Sequence, residues 1–97
     1  MRIIARRTLK NFWEKHPDAK SQLEAWYREV KLATWSKSAD VKTRYPEASI
    51  VGRDRVVFDI CKNRYRLIVV IKYKFHVVYI RFIGTHAEYG RIDVKEI

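Results

Sequence analysis

The sequence predicts an α+β fold in which an N-terminal helical hairpin packs on a mainly antiparallel β-sheet, followed by a short C-terminal helix. The hydrophobic pattern has a helical period in the first third of the chain and a strand period in the second half. The 97 residues suffice for one modest core, so residues 1–97 are expected to form a single domain. A hydrophobic content of 47% and a charged fraction of 33% of mixed sign are typical of a folded chain.

The N-terminal half is predicted to be mainly helical. Apolar side chains recur every three or four residues, which gives each helix one face for packing. Pro17 ends the first helix, and Asp18 is positioned to cap the second. The predicted elements are a strand over residues 3–5, helices over 8–16 and 19–33, and one helical turn between 38 and 46. We assign the three tryptophans to the core.

From Ala48 onward the pattern alternates, which indicates strands. Gly84 allows the last strand to finish, and Thr85 can then cap a short helix from His86 to Tyr89. The predicted strands begin at residue 50 and cover 56–61, 64–74 and 76–85, with turns at 52–54 and 62–63.

The register of the last two strands predicts a core face and a cationic face. Strict alternation places the apolar sets together, Leu67, Val69, Ile71 and Tyr73 with Val78, Ile80 and Phe82, because a slip of one residue would bury charge. The opposite face then carries Arg64, Arg66, Lys72, Lys74, Tyr79, Arg81, Ile83 and Thr85. Residues 62–91 contain seven Lys or Arg against one acid, Glu88. Because neighbouring like charges are unfavourable, this face predicts an anionic partner.

The charge of the whole chain indicates the same kind of partner. The formal net charge is +10, and eleven of the 21 basic residues are arginines, which favour planar contacts to phosphate. A domain this basic usually binds nucleic acid, an acidic protein or an anionic membrane surface.

Several other classes of site are not indicated by the sequence. Cys61 is the only cysteine, lies in a strand pattern and is expected to be a small buried hydrophobe. His16 is expected at the edge of the core, and His76 in a solvated turn. The histidines lack metal-ligand spacing and no glycine-rich phosphate loop is present, so we predict no metal and no cofactor. With neither a signal peptide nor a run of about 20 apolar residues, we expect no membrane association and a cytoplasmic protein.

The end of the last strand combines groups that suit RNA cleavage. Tyr89 follows His86 by three residues, so one helical turn places both on one side, next to Arg66 and Arg81. Histidine and tyrosine transfer protons, and arginines bind phosphate oxygens, which are the requirements for metal-independent attack by a ribose 2′-hydroxyl. DNA lacks that hydroxyl. Alternatively, His86 is a partly exposed cap residue and Tyr89 packs on the sheet.

Two segments carry a resemblance to a known family: F-D-I-C-K-N-R-Y-R-L-I-V-V-I-K-Y, residues 58–73, and Y-I-R-F-I-G-T-H-A-E-Y, residues 79–89. With the helical hairpin before them, they resemble the HigB-type toxins of the RelE superfamily over essentially the whole chain. The combination of N-x-Y-R-L, Y-I-R and T-H-x-x-Y is more specific than any one of these motifs.

The resemblance implies a RelE-like fold and a ribosome-dependent endoribonuclease, an mRNA interferase toxin, that cleaves translated mRNA. It also implies a HigA-type helix-turn-helix antitoxin as partner, which neutralises the toxin and contacts the DNA operator. The matching polar residues are Asn63, Arg66, Arg81, Thr85, His86 and Tyr89. Gly90 departs from the pattern, since many relatives carry an acidic residue there.

The resulting hypothesis is a bacterial toxin whose catalytic residues are His86, Arg81, Arg66 and Tyr89. Contacts to RNA are expected from Lys72, Lys74, Arg64, Tyr79, Asn63 and Thr85. The first alternative is a non-catalytic RNA-binding or ribosome-associated module that uses the same face. The second is a scaffold whose cationic groove mainly binds an acidic protein.

Overall fold

A computed structural model describes residues 1–97 and confirms the predicted α+β class. The elements, in chain order, are β1 (Arg2–Ile4), α1 (Arg6–Lys15), α2 (Lys20–Leu32), α3 (Ser38–Arg44), β2 (Ser49–Val51), β3 (Arg55–Ile60), β4 (Tyr65–Lys72), β5 (Val77–Thr85) and α4 (His86–Tyr89). Single 3-10 turns occur at Pro17–Ala19 and Tyr73–Phe75. None of these helices is both long and apolar enough to cross a membrane.

The five strands form one sheet in the order β1-β5-β4-β3-β2. Strands β2 to β5 pair antiparallel with their neighbours in sequence, because short turns connect them. β1 adds to the free edge of β5 in parallel, with Ile3 opposite Val78. The sheet is therefore mainly antiparallel, as predicted.

The helices cover one face of the sheet and bury the core there. All three tryptophans, Trp13, Trp26 and Trp35, belong to this core and are at most 7% exposed, which confirms their assignment. The Trp26 ring packs edge-on against Phe58 of β3, with ring centroids 5.5 Å apart. No polar or charged residue is buried.

Asp18 does not cap α2, so that prediction was wrong. The 3-10 turn at Pro17–Ala19 places Ala19 at the N-cap, without a side-chain cap. The Asp18 carboxylate instead accepts hydrogen bonds from the Tyr65 hydroxyl at 2.7 Å and from Nη1 of Arg64 at 2.8 Å. The Tyr65 bond is the main cause that lowers the pKa of Asp18. Asp18 thus joins the corner of the helical hairpin to the start of β4.

A β-bulge in β5 changes the predicted register. Val69 pairs with Ile80 but Ile68 pairs with Phe82, so Arg81 is an extra residue between them. One extra residue reverses the side of every residue beyond it. The predicted sides of Phe82, Ile83 and Thr85 were therefore wrong: Ile83 packs against the core, Phe82 lies across from Ile68 on the opposite face, and Thr85 pairs with the core residue Tyr65.

The face opposite the helices is partly covered. Val57 and Ile68 are at most 1% exposed although neither belongs to the helix-side core. Arg55, on the same face as Val57, donates from Nε and Nη2 to the main-chain oxygen of Ile97 at 3.2 and 2.9 Å. The residues after α4 therefore return to this face of the sheet.

Candidate nucleic-acid interface

Helix α4 is fixed at its start by a complete capping box, which confirms Thr85 as the cap. The Thr85 hydroxyl accepts from the Glu88 amide at 3.2 Å, and the Glu88 carboxylate accepts from the Thr85 amide at 2.8 Å. That amide lowers the pKa of Glu88. The His86 amide donates to the Arg64 carbonyl oxygen at 3.1 Å, which ties α4 to the start of β4. The His86 and Tyr89 rings are held 6.5 Å apart between centroids.

Arg66 lies beside this helix and is held by two neighbours. In the sheet it stands between Asp59 of β3 and Gly84 of β5. Its Nη1 lies 3.0 Å from Oδ1 of Asp59, and its guanidinium carbon lies 5.0 Å from the Tyr89 ring centre. The side chain is 18% exposed, and its Nε is buried without a hydrogen-bond partner. We call Asp59, Arg66, His86 and Tyr89 the Arg66 cluster.

Gly84 is required next to Arg66 because no space remains for a side chain. A Cβ on Gly84 would lie 2.4 Å from the Phe82 ring and 3.0 Å from Oε1 of Glu88. The Phe82 ring thus lies over the glycine, and the capping carboxylate lies beside it. The absence of a side chain at Gly84 lets α4 approach the sheet where Arg66 lies.

A second group of predicted residues lines a groove of about 490 Å³ on the same face as Arg66. We call it the Arg81 groove, and its lining residues are Arg55, Val70, Lys72, Phe75, Tyr79, Arg81 and Ile97. Arg81 is exposed and makes no ion pair, and Phe75 is 69% exposed. The groove therefore combines free positive charge with aromatic surface, a combination that suits single-stranded nucleic acid.

Three of the predicted cations are neutralised by acids in the free protein. Arg64 pairs with Asp18 at 2.8 Å, Arg66 with Asp59 at 3.0 Å, and Lys72 with Asp54 at 2.8 Å. The Lys72 bond is the main cause that lowers the pKa of Asp54. All three acids precede residue 62, so counting charges over residues 62–91 missed them.

Four predicted RNA-binding residues lie outside both groups. Arg64 pairs with Asp18, and Thr85 serves as the cap of α4. Lys74 lies in the 3-10 turn, with its ammonium 5.8 Å from the Phe75 ring centre. Asn63 is exposed in the β3–β4 turn with a left-handed φ of 79°. The predicted set is thus divided, with Arg66, His86 and Tyr89 in one group and Lys72, Tyr79 and Arg81 in the other.

His16 and His76 lie outside both the Arg66 cluster and the Arg81 groove. His16 stacks on Phe12 with ring centroids 4.4 Å apart and is half-buried, as expected for the edge of the core. His76 is exposed in the β4–β5 turn. No group of three or more His, Cys, Asp or Glu side chains is arranged to hold a metal ion.

Sequence reasoning missed five residues of the two groups: Asp59, Arg55, Val70, Phe75 and Ile97. The alternation of β3 was a usable signal, because it places Arg55, Val57 and Asp59 on one face. For Phe75, an aromatic residue in a turn next to His76 was a weaker signal. Nothing in the sequence indicated that Ile97 returns to the sheet.

The class of protein with this fold and capped turn is identified by a family match, and it is that of the RelE-like toxins. Residues 19–92 match the HigB toxin family, described as the RelE-like toxic component of a toxin–antitoxin system. The match covers most of the chain, so this protein belongs to the HigB family. Because such toxins are one half of a pair, an antitoxin is implied as its partner.

Named relatives are similar over nearly the whole chain. The mRNA interferase toxin HigB of Escherichia coli strain K12 is 28% identical over 91 residues, which cover 92% of this chain and 88% of the relative. The proteins named mRNA interferase HigB of Escherichia coli O157:H7 and of Shigella flexneri give the same identity and coverage.

Proposed function

We propose that this toxin is an endoribonuclease that cleaves mRNA on the translating ribosome without a metal ion. The observation that carries the proposal is the Arg66 cluster. In it a capped helical turn holds His86 and Tyr89 beside an arginine that is itself held in place. The names of the relatives in Escherichia coli and Shigella flexneri support messenger RNA as the substrate.

The chemistry begins with attack of a ribose 2′-hydroxyl on the adjacent phosphorus. A base removes the hydroxyl proton, the bond to the 5′ oxygen breaks, and an acid protonates that leaving oxygen. The products are a 2′,3′-cyclic phosphate and a 5′-hydroxyl end. His86 is our first candidate for one of the proton transfers, and Tyr89 is its partner or a platform on which a base stacks.

Arginines supply the electrostatic part of the reaction. Arg66 and Arg81 bind the non-bridging oxygens, where charge increases in the transition state. Lys72 and Tyr79 in the Arg81 groove, together with Lys74 beside it, guide the RNA. A HigA-type helix-turn-helix antitoxin in the cytoplasm neutralises the toxin, and DNA operator contacts are made by that antitoxin.

The test maps RNA 5′ ends after incubating a message with the toxin and excess chelator, with and without translating ribosomes. Cuts with 5′-hydroxyl ends only on ribosomes are the expected result. Cuts on naked RNA would overturn the ribosome dependence and retain the nuclease. Binding without any cut would overturn the nuclease and favour the RNA-binding module.

A further inference from the structure

We propose that Asp59 is a positioning residue for RNA cleavage and that it acts only through Arg66. The inference rests on the proposed function and adds to it a residue that touches neither the RNA nor the reacting atoms. It starts from the ion pair between Arg66 and Asp59 across strands β4 and β3.

Arg66 is constrained from two directions. Asp59 holds its Nη1 at 3.0 Å within the sheet, and the Tyr89 ring lies against the guanidinium with 5.0 Å between their centres. A guanidinium is planar, so one fixed nitrogen and one fixed face determine its orientation. The remaining N–H groups of this guanidinium, whose side chain is 18% exposed, leave donor capacity for an anion.

The ion pair has a cost for substrate binding. The carboxylate of Asp59 repels phosphate and cancels part of the positive charge of Arg66. Replacing Asp59 by a neutral residue therefore strengthens binding of the RNA while it releases Arg66 from its orientation. Loss of orientation slows the reaction. The affinity for RNA therefore increases while the cleavage rate decreases.

The structure offers a matched control on the same face. Asp54 forms ion pairs with Lys72 at 2.8 Å and with Arg55 at 3.5 Å, and it does not contact Arg66. Asp54→Asn removes the same charge from the same face. Its effect isolates charge from positioning, because both variants reduce repulsion and only Asp59→Asn releases Arg66.

The experiment measures single-turnover cleavage of a message on translating ribosomes by the wild type, Asp59→Asn and Asp54→Asn. For Asp59→Asn we expect the rate at saturation to fall by about 10- to 100-fold and the half-saturating toxin concentration to decrease. For Asp54→Asn we expect a decrease in the half-saturating concentration with an unchanged rate. Equal rates for the two variants would overturn the inference.

A double-mutant cycle tests the route through Arg66. In an Arg66→Ala background, Asp59→Asn is expected to cause no further loss of rate, because the group that it positions is absent. A further tenfold loss in that background would contradict the proposal. No cleavage by the wild type would overturn the proposed function and this inference together. If the wild type cleaves but the variants do not show the expected rates, only the inference is overturned.

Folding of each variant is checked by its thermal unfolding midpoint. Should Asp59→Asn fail to fold, Asp59→Glu keeps the charge and moves it by one methylene group. For that variant we expect a slower rate at an unchanged half-saturating concentration. If Asp59→Glu displaces the ion pair with Arg66 and still cleaves RNA at the wild-type rate, the orientation of Arg66 is not needed for cleavage.

Discussion

The two faces of the sheet are built differently. The helix-side face carries a continuous apolar core with no buried polar residue, and Leu67, Val69 and Ile71 on β4 are 0% exposed. On the opposite face of β4, Arg66 and Lys72 form ion pairs with acids from earlier in the chain. The Lys72 side chain is half exposed, and ion pairs that solvent reaches contribute little to stability. The helix-side face therefore supplies most of the apolar core, whereas the opposite face combines the buried Val57 and Ile68 with the charged residues that we propose as the RNA-binding surface.

The largest expected effect tests how much the helix-side face contributes to stability. Leu67→Ala removes a fully buried side chain from the core and should lower the free energy of unfolding by about 2–5 kcal/mol. Val70→Ala, on the same strand but half-buried on the opposite face, should cost only about 1 kcal/mol. Urea denaturation of both variants measures the difference. Equal losses would contradict the assignment of most of the stability to the helix-side face.

The next prediction tests the proposed RNA-binding surface by measuring RNA cleavage. Arg81→Ala and His86→Ala should each lower cleavage by about 100- to 1,000-fold and relieve growth arrest. Both side chains are exposed, so the free energy of unfolding should change by no more than about 0.5 kcal/mol. Arg28→Ala removes one positive charge from an exposed position on α2 and serves as the control. Full toxicity of both variants would show that the site is wrongly placed.

The comparison also shows what could be predicted from the sequence. Helix and strand positions were predictable because apolar periodicity directly reflects which face each element buries. The bulge at Arg81 was not, because Ile80, Phe82 and Ile83 are all apolar and satisfy either register. A single inserted residue therefore left no trace in the hydrophobic pattern, although it reversed the sides of Phe82, Ile83 and Thr85.

The charge balance of the second face needed information about pairing between strands. Asp54 and Asp59 are near Lys72 and Arg66 only after β3 and β4 are aligned. Asp18 reaches Arg64 only because the helical hairpin packs on the sheet. Contacts of this kind depend on tertiary structure, so the local pattern indicated which cations lie on this face but not which acids pair with them.

A third prediction concerns the glycine where α4 meets the sheet. Gly84→Ala brings a Cβ into the Phe82 ring and towards the Glu88 carboxylate, so it should destabilise the protein by about 1–3 kcal/mol. Gly90→Ala is the matched control, because a Cβ there would lie no closer than 3.5 Å to any neighbour. Adding Phe82→Leu should recover part of the Gly84→Ala loss, as thermal unfolding will measure. Additive losses would mean that the Phe82 ring is not the obstacle.

The smallest expected effect is the pH dependence of α4. The Thr85 amide lowers the pKa of Glu88 in the folded state, so this carboxylate stabilises α4 fully above the ordinary pKa that it has in the unfolded chain. That contribution is lost as pH falls through the lowered folded pKa. The protection of the Thr85 amide, which is its exchange rate measured by NMR relative to the intrinsic rate at the same pH, should therefore decrease at acid pH before the core unfolds.

The local measurement matters because Asp18 and Asp54 also have lowered pKa values and reduce overall stability over a similar acid range. Glu88→Gln separates the pH response of the cap from that of Asp18 and Asp54, because glutamine can complete the capping box without titrating. In that variant the exchange of the Thr85 amide should follow only the unfolding of the whole domain. An unchanged acid profile in Glu88→Gln would mean that Asp18 and Asp54, rather than the cap, control how α4 responds to pH. Loss of order in the wild-type cap should also release His86 and Tyr89 from their positions beside Arg66, because the cap fixes the helical turn that carries them.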